Sequence, residues 1–355
     1  MPTPKARAAA FCARFGLRLP IVMAPMAGAC PASLAVAVAN AGGMGACGAL
    51  TLQPDSIAAW VGEFRASSNG GFQLNTWIPD PAPVRDPVHE AQVRDFLGQF
   101  GPAVSAAAGD APLVDFDAQC TAMLAARPGV ISSIMGLYPA EFVAAMHAQG
   151  IAWFATVTTV GEALAAEAAG ADVIVAQGAE AGGHRGAFIA ADAERAAVGL
   201  FALLPAVVDA VRIPVIATGG IADARTIAAA FLLGASAVQI GTGLLRTPEA
   251  KLAPAWAAAL ATTRPEDTML TRAFSGRAGR GIATTYTRAA ASGPAPAPYP
   301  IQRGLTTAMR DAAAKAGDVQ HMQAWAGQSA GFARAEPAAD LLRELWAEAA
   351  KMLKD

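Results

Sequence analysis

The sequence predicts an α/β protein: a (β/α)8 TIM barrel followed by a C-terminal helical cap. Three observations predict it. Eight short, continuously apolar runs recur between residues 20 and 242. Alanine-rich segments of helical periodicity separate them. The runs do not alternate apolar with polar, which is the pattern of parallel strands covered on both faces. An open doubly wound sheet is the rival architecture, but it carries a G-x-G-x-x-G loop after its first strand. Here the first strand ends "APMAGACP".

The runs are "PIVMAPM" (20–26), "GMGACGA" (43–49), "FQLNTWI" (72–78), "GVISSIM" (129–135), "IAWFATV" (151–157), "DVIVAQG" (172–178), "PVIATGG" (214–220) and "AVQIGT" (237–242). Helical patterns lie between them: "SLAVAVANAG", "PAEFVAAMHAQG", "VGEALAAEAAG", "FALLPAVVDAV" and "DARTIAAAFLLG". Several stop at glycine, a common helix terminator. One longer connection, near 79–127, opens with the turn-rich "PDPAPVRDP" and predicts a helical insertion. The repeat stops at about residue 262. The chain therefore divides into a barrel, 1–262, and a helical cap bordering the substrate pocket, 263–355.

Composition excludes several classes. Net charge is −2 and the pI is about 6.1, so no basic field attracts nucleic acid. The uncharged stretch 19–54 is broken by Pro20, Pro25 and Pro31, so it reads as neither a membrane span nor an export signal. The cysteines Cys12, Cys30, Cys47 and Cys120 form no C-x-x-C pair. They read as reduced thiols of a cytoplasmic protein, and no metal site is expected.

In this fold the chemistry sits at the C-terminal strand ends. The five lysines, Lys5, Lys251, Lys315, Lys351 and Lys354, all lie outside the strands, which excludes a Schiff-base aldolase. No pair of carboxylates sits at the strand ends, which argues against a glycosidase. The mouth is polar and nearly uncharged, as suits an organic cofactor that performs the hard chemistry. "IATGGIADARTI" (216–227) and "QIGTGLL" (239–245) are two halves of a phosphate site. Gly219 and Gly220 let backbone N–H groups approach an anion, and Gly241 with the Thr242 hydroxyl completes it.

"QGAEAGGHRG" (177–186) then presents one of the chain's four histidines from a glycine-rich loop. A flat ligand fits above that backbone, with His184 over its face as a proton acceptor or donor near neutrality. Glu180 either orients His184 or Arg185 or is solvated. Arg185 either pairs with a phosphate or faces water, and the second reading is preferred. His89, His147 and His321 are read as structural.

The set "PIVMAPMAG", "AGGMGACGAL", "QLNTWIP", "AQGAEAGGHRG", "VIATGGIADARTIAAAFLLGASAVQIGT" and "SGRAGRGI" resembles the nitronate monooxygenases. The resemblance implies FMN in a TIM barrel. It implies FMN contacts from Ala24, Pro25, Met26, Asn75, Gln177, Gly182, Gly183, Gly219, Gly220, Gln239, Gly241 and Thr242. It makes His184 the catalytic histidine and places Tyr299 in the substrate pocket with Ser133 and Ile134. Relatives carry a second histidine after strand four, where this chain has Ile134 in "SSIMG", so a more apolar substrate pocket is implied.

The reaction implied is oxidation of an alkyl nitronate by O2 to a carbonyl compound and nitrite. His184 removes the α-proton when the substrate is a neutral nitroalkane. The expected partners are a small-molecule substrate and O2, with a homodimer left open. The alternative on the same barrel is an FMN-dependent NAD(P)H:quinone or enoyl-thioester reductase.

Overall fold

The computed structural model describes residues 2–110 and 112–353. Ala111 within the 79–127 connection and Lys354 lie outside the described residues. Each of the eight apolar runs forms a strand: β1 (Ile21–Met23), β2 (Gly45–Gly48), β3 (Phe72–Trp77), β4 (Val130–Ile134), β5 (Ala152–Val157), β6 (Val173–Gln177), β8 (Val215–Thr218) and β9 (Ala237–Ile240). They form one parallel sheet in the order β1-β9-β8-β6-β5-β4-β3-β2. A parallel bridge from Val22 to Met44 closes β1 onto β2.

Strand alternation sorts the side chains into two cores. One set, including Val22, Val130, Phe154, Val175 and Ile216, fills the barrel interior. The helix Pro4–Phe15 plugs its lower end, with Phe15 edge-on to Phe154 at 5.1 Å. The other set, including Leu74, Ile131, Trp153, Ile174 and Val238, faces the surrounding helices. Both faces are apolar, which is why these runs show no alternation in the sequence.

The five helical patterns form helices, and a further helix, Pro54–Ser67, lies between β2 and β3. Local chemistry sets their ends. Thr159 accepts from the Glu162 N–H, and Asp223 with Thr226 forms a reciprocal cap on Ala224–Leu232. In the insertion, Phe116–Ala126 packs on Pro54–Ser67 as a barrel helix. Pro87–Leu97 turns instead to the tail, where its Val93 and Leu97 join Phe274, Tyr286, Ile301, Leu305 and Met309 in a separate core.

The tail departs from the helical expectation. It contains a hairpin, β10 (Thr268–Thr271) with β11 (Gly279–Ile282), and β11 pairs with a two-residue strand β7 (Gly183–His184). Its last helix, Ala338–Met352, packs on the barrel wall against helices Ala32–Ala41 and Ala224–Leu232. Among the described residues no helix is long and apolar enough to cross a membrane, and no group of three or more His, Cys, Asp or Glu could hold a metal.

Candidate active site

The inward-facing residues at the C-terminal strand ends enclose a cavity of about 380 Å³. Trp77 from β3, Ile134 from β4, Thr156 from β5, Gln177 from β6 and Thr218 from β8 reach it by the same period of two. All twelve residues expected to contact the cofactor line it: Ala24, Pro25, Met26, Asn75, Gln177, Gly182, Gly183, Gly219, Gly220, Gln239, Gly241 and Thr242. His184 and Ile134 line it as well. Its ionisable lining residues are His184, Arg303 and Arg310, with no carboxylate among them.

At one end the donors suit a phosphate. Gly219 has φ +105°, and a Cβ there would stand 3.0 Å from Ala181 N and 3.1 Å from Gly178 O. Only glycine allows the two loops to close at this point. Thr242 Oγ1 accepts from the Gly327 N–H at 3.0 Å, which leaves its own proton for a ligand. Gln239 Oε1 accepts from Gln73 Nε2 at 3.3 Å, which likewise leaves the Gln239 amide donor free for a ligand. With no carboxylate lining the cavity, this donor set suits an anionic, phosphate-bearing group.

At the other end stands His184. Its backbone is held three ways. Gln177 Nε2 donates to His184 O at 3.0 Å, the Gly186 N–H donates to Gln177 Oε1 at 2.8 Å, and β7 pairs with β11. Its ring lies edge-on between Trp77 and Trp325, with centroids at 4.6 and 4.9 Å. Nε2 is 2.7 Å from Ser275 Oγ. Burial, reinforced by the cations Arg277, Arg303 and Arg310, lowers the imidazole pKa to about 3. The ring is therefore neutral at pH 7, and its protonated form is disfavoured unless an anion stands beside it.

Several expectations are corrected. Ser133 is fully buried and faces the helices, where its Oγ accepts from Trp153 Nε1 at 3.0 Å. It alternates with Ser132 and Ile134 and so points away from the cavity. Tyr299 borders a smaller neighbouring pocket with Trp77, Asp80 and Gln119, and stacks obliquely on Trp77 at 5.3 Å. Arg185 does not face water. It is buried, donates to Gln177 O, and burial lowers its pKa to about 10.

Glu180 touches neither His184 nor Arg185. Both its oxygens accept from the Leu200 N–H at 2.9 Å, capping the helix Leu200–Ala210. Of the other histidines, His147 pairs with Asp172, His321 with Asp318, and His89 bonds Ala295 O.

The tail supplies what sequence reasoning missed: Ser275, Arg303, Arg310, Gln323 and Trp325 all line the cavity. Ser275 sits in the quoted "SGRAGRG" segment, and Trp77 follows Asn75 by the inward step of two, so both carried a signal. The others come from irregular or helical tail segments whose periodicity does not say where they dock.

Comparison with known proteins agrees with this geometry. The family model described as nitronate monooxygenase matches residues 11–348. The chain is 39% identical to a nitronate monooxygenase of Pseudomonas aeruginosa, over 93% of this chain and 96% of that one. It is 37% identical to one of Paraburkholderia phytofirmans, over 93% and 92%. Among solved structures, a nitroalkane oxidase from Streptomyces ansochromogenes superposes with a TM-score of 0.86 at 38% identity, covering 94% of this chain and 96% of that one. FabK from Thermotoga maritima superposes with a TM-score of 0.73 at 24% identity, covering 99% and 97%, and shares the fold. With an eight-stranded barrel, a cavity at its rim and these relatives along nearly the whole chain, the protein belongs to the nitronate monooxygenase family of flavoprotein oxidoreductases.

Proposed function

We propose that this protein is a cytoplasmic, FMN-dependent enzyme that oxidises alkyl nitronates with O2 to a carbonyl compound and nitrite. The observation that carries the reading is the cavity itself. It joins a glycine-lined end suited to phosphate, with no carboxylate in its lining, to a neutral imidazole flanked by arginines. FMN, when bound, supplies the electron acceptor and the reactivity toward O2.

The chain's residues do the rest. The loops after β8 and β9, with Gly182, hold the phosphate through backbone donors and Thr242 Oγ1. Asn75, Gln177, Gln239 and the first strand end, Ala24 to Met26, hold the ring system. Arg303 and Arg310 give the imidazole end a positive field that attracts an anionic nitronate and opposes a cation. For a neutral nitroalkane, His184 takes the α-proton as general base. The imidazolium so formed is disfavoured by the three arginines until the nitronate anion stands beside it, so proton transfer and anion formation are coupled. Trp77, Ile134 and Trp325 exclude water around the reacting carbon. Ile134 offers no hydrogen bond to the substrate.

Anaerobic mixing with propionate 3-nitronate, 2-nitropropane, NADH, NADPH and an enoyl thioester tests the reading. Bleaching of the flavin band by the nitronate, with nitrite formed on admitting O2, is the expected result. Rapid bleaching by NADH or NADPH alone would replace it with the reductase reading. A protein that takes up no FMN would remove both.

A further inference from the structure

His184 Nε2 faces Ser275 Oγ, and Ser275 belongs to the tail rather than to the barrel. The hydroxyl has one proton and two lone pairs. It lies 3.2 Å from Arg277 O as donor, and it accepts from the Arg277 N–H at 3.3 Å. The Arg277 carbonyl can only accept and the Arg277 N–H can only donate, so a hydroxyl proton directed at that carbonyl leaves a lone pair that accepts from His184 Nε2.

The segment that fixes this arrangement is itself pinned. Arg277 is 1% exposed. Its Nε donates to Asp80 Oδ2 at 2.8 Å, a second nitrogen bonds Asp80 Oδ1, and the third donates to Ala187 O at 2.9 Å. Asp80 follows β3 in the "PDPAPVRDP" turn, so one carboxylate ties the strand-three loop to the tail, and the tail to the loop carrying His184. The charged groups facing the imidazole are Arg277, Arg303 and Arg310. Among the described residues, Arg277 alone of these forms an ion pair with a carboxylate.

We propose that Asp80, acting through Arg277 and Ser275, is a positioning residue that holds His184 as the Nε2–H tautomer and leaves Nδ1 as the proton-accepting atom. The proposal rests on the reading of His184 as the site's base. It adds which nitrogen works and what selects it, because the partner of one ring nitrogen decides the state of the other.

The test reads the tautomer directly. The chain has four histidines, so the FMN-loaded protein labelled with 15N-histidine gives four imidazoles, and His184→Asn assigns the one of interest. At pH 7 the expected spectrum has His184 Nε2 protonated and Nδ1 bare. Ser275→Ala and Asp80→Asn should each replace this single tautomer with a mixture, while Asp80→Glu retains it. Ser275→Ala leaves the ion pair intact, so it remains decisive if melting curves show Asp80→Asn unfolded. A wild-type ring protonated on Nδ1, or an unchanged tautomer in either Ser275→Ala or a folded Asp80→Asn, would overturn the proposal. Unchanged turnover of His184→Asn on every substrate would instead overturn the role of His184 while leaving the tautomer assignment standing.

Discussion

The two ends of the cavity are made by different parts of the chain, from different material. The end proposed to hold a phosphate is backbone: glycine-rich loops closing β8 and β9, with one hydroxyl and no charged side chain lining the cavity there. The imidazole end is side chain: His184 on its loop, ringed by Trp77 and by tail residues Ser275, Arg303, Arg310 and Trp325. Backbone donors recognise a group that never changes. Side chains can be exchanged one at a time to suit a new substrate.

The strongest way to break the comparison is at the base. His184→Asn should lower kcat/KM on a neutral nitroalkane by about 10²- to 10⁴-fold, the usual worth of a positioned general base, while FMN titration shows unchanged affinity. A variant that lost FMN instead would show that the two ends are not separable.

The converse substitution comes next. Gly219→Val forces a side chain into φ +105° against Ala181 and Gly178. Strain of about 1–3 kcal/mol should weaken FMN binding about tenfold to a hundredfold. Turnover at saturating FMN should change little, as a paired fluorescence and kinetic titration would show.

The Arg303 carbonyl accepts from Thr306, Thr307 and Arg310, but among the described residues its guanidinium has no hydrogen-bond or ion-pair partner, and it lines the cavity and acts on His184 through its charge. Arg303→Met keeps most of the stem and should raise KM for an anionic nitronate about tenfold with kcat and FMN affinity held, in line with a lost hydrogen bond to a charged group. A fall in FMN affinity would move Arg303 to the phosphate end.

The smallest effect is on stability. The His184 pKa is lowered to about 3, so between roughly pH 6.5 and pH 3 the unfolded chain binds a proton that the folded one refuses. The contribution is full above pH 6.5 and is lost as pH falls through that window. His184→Gln should therefore lose less Tm than the wild type between pH 7 and pH 5. Parallel melting curves would contradict the buried, cation-facing setting of the ring.

The barrel was legible because each strand repeats one physical problem, burial on both faces, and solves it with the same apolar run. The rim was legible for a related reason: the loops after β8 and β9 need glycine, and glycine is visible. The tail offered neither signal. "TMLT" and "GRGI" are too short and too polar to announce a hairpin, and β7 is two residues whose pairing depends on a strand almost a hundred positions away. Ser133 misled because strand-end position alone does not give the side. Counting by two from Asn75's partner Ser132 would have turned it outward. Arg185 and Glu180 misled because a loop of polar residues looks solvated until its buried carbonyls and helix ends are known.

The last helix, Ala338–Met352, seats itself between the first and seventh helices of the barrel wall. Everything from residue 263 to 337 is thereby a bridge with a pier at each bank rather than a hinged flap. Both banks of that span are moored to the barrel wall, and Trp77 from the barrel and Trp325 from the span face the same cavity across it.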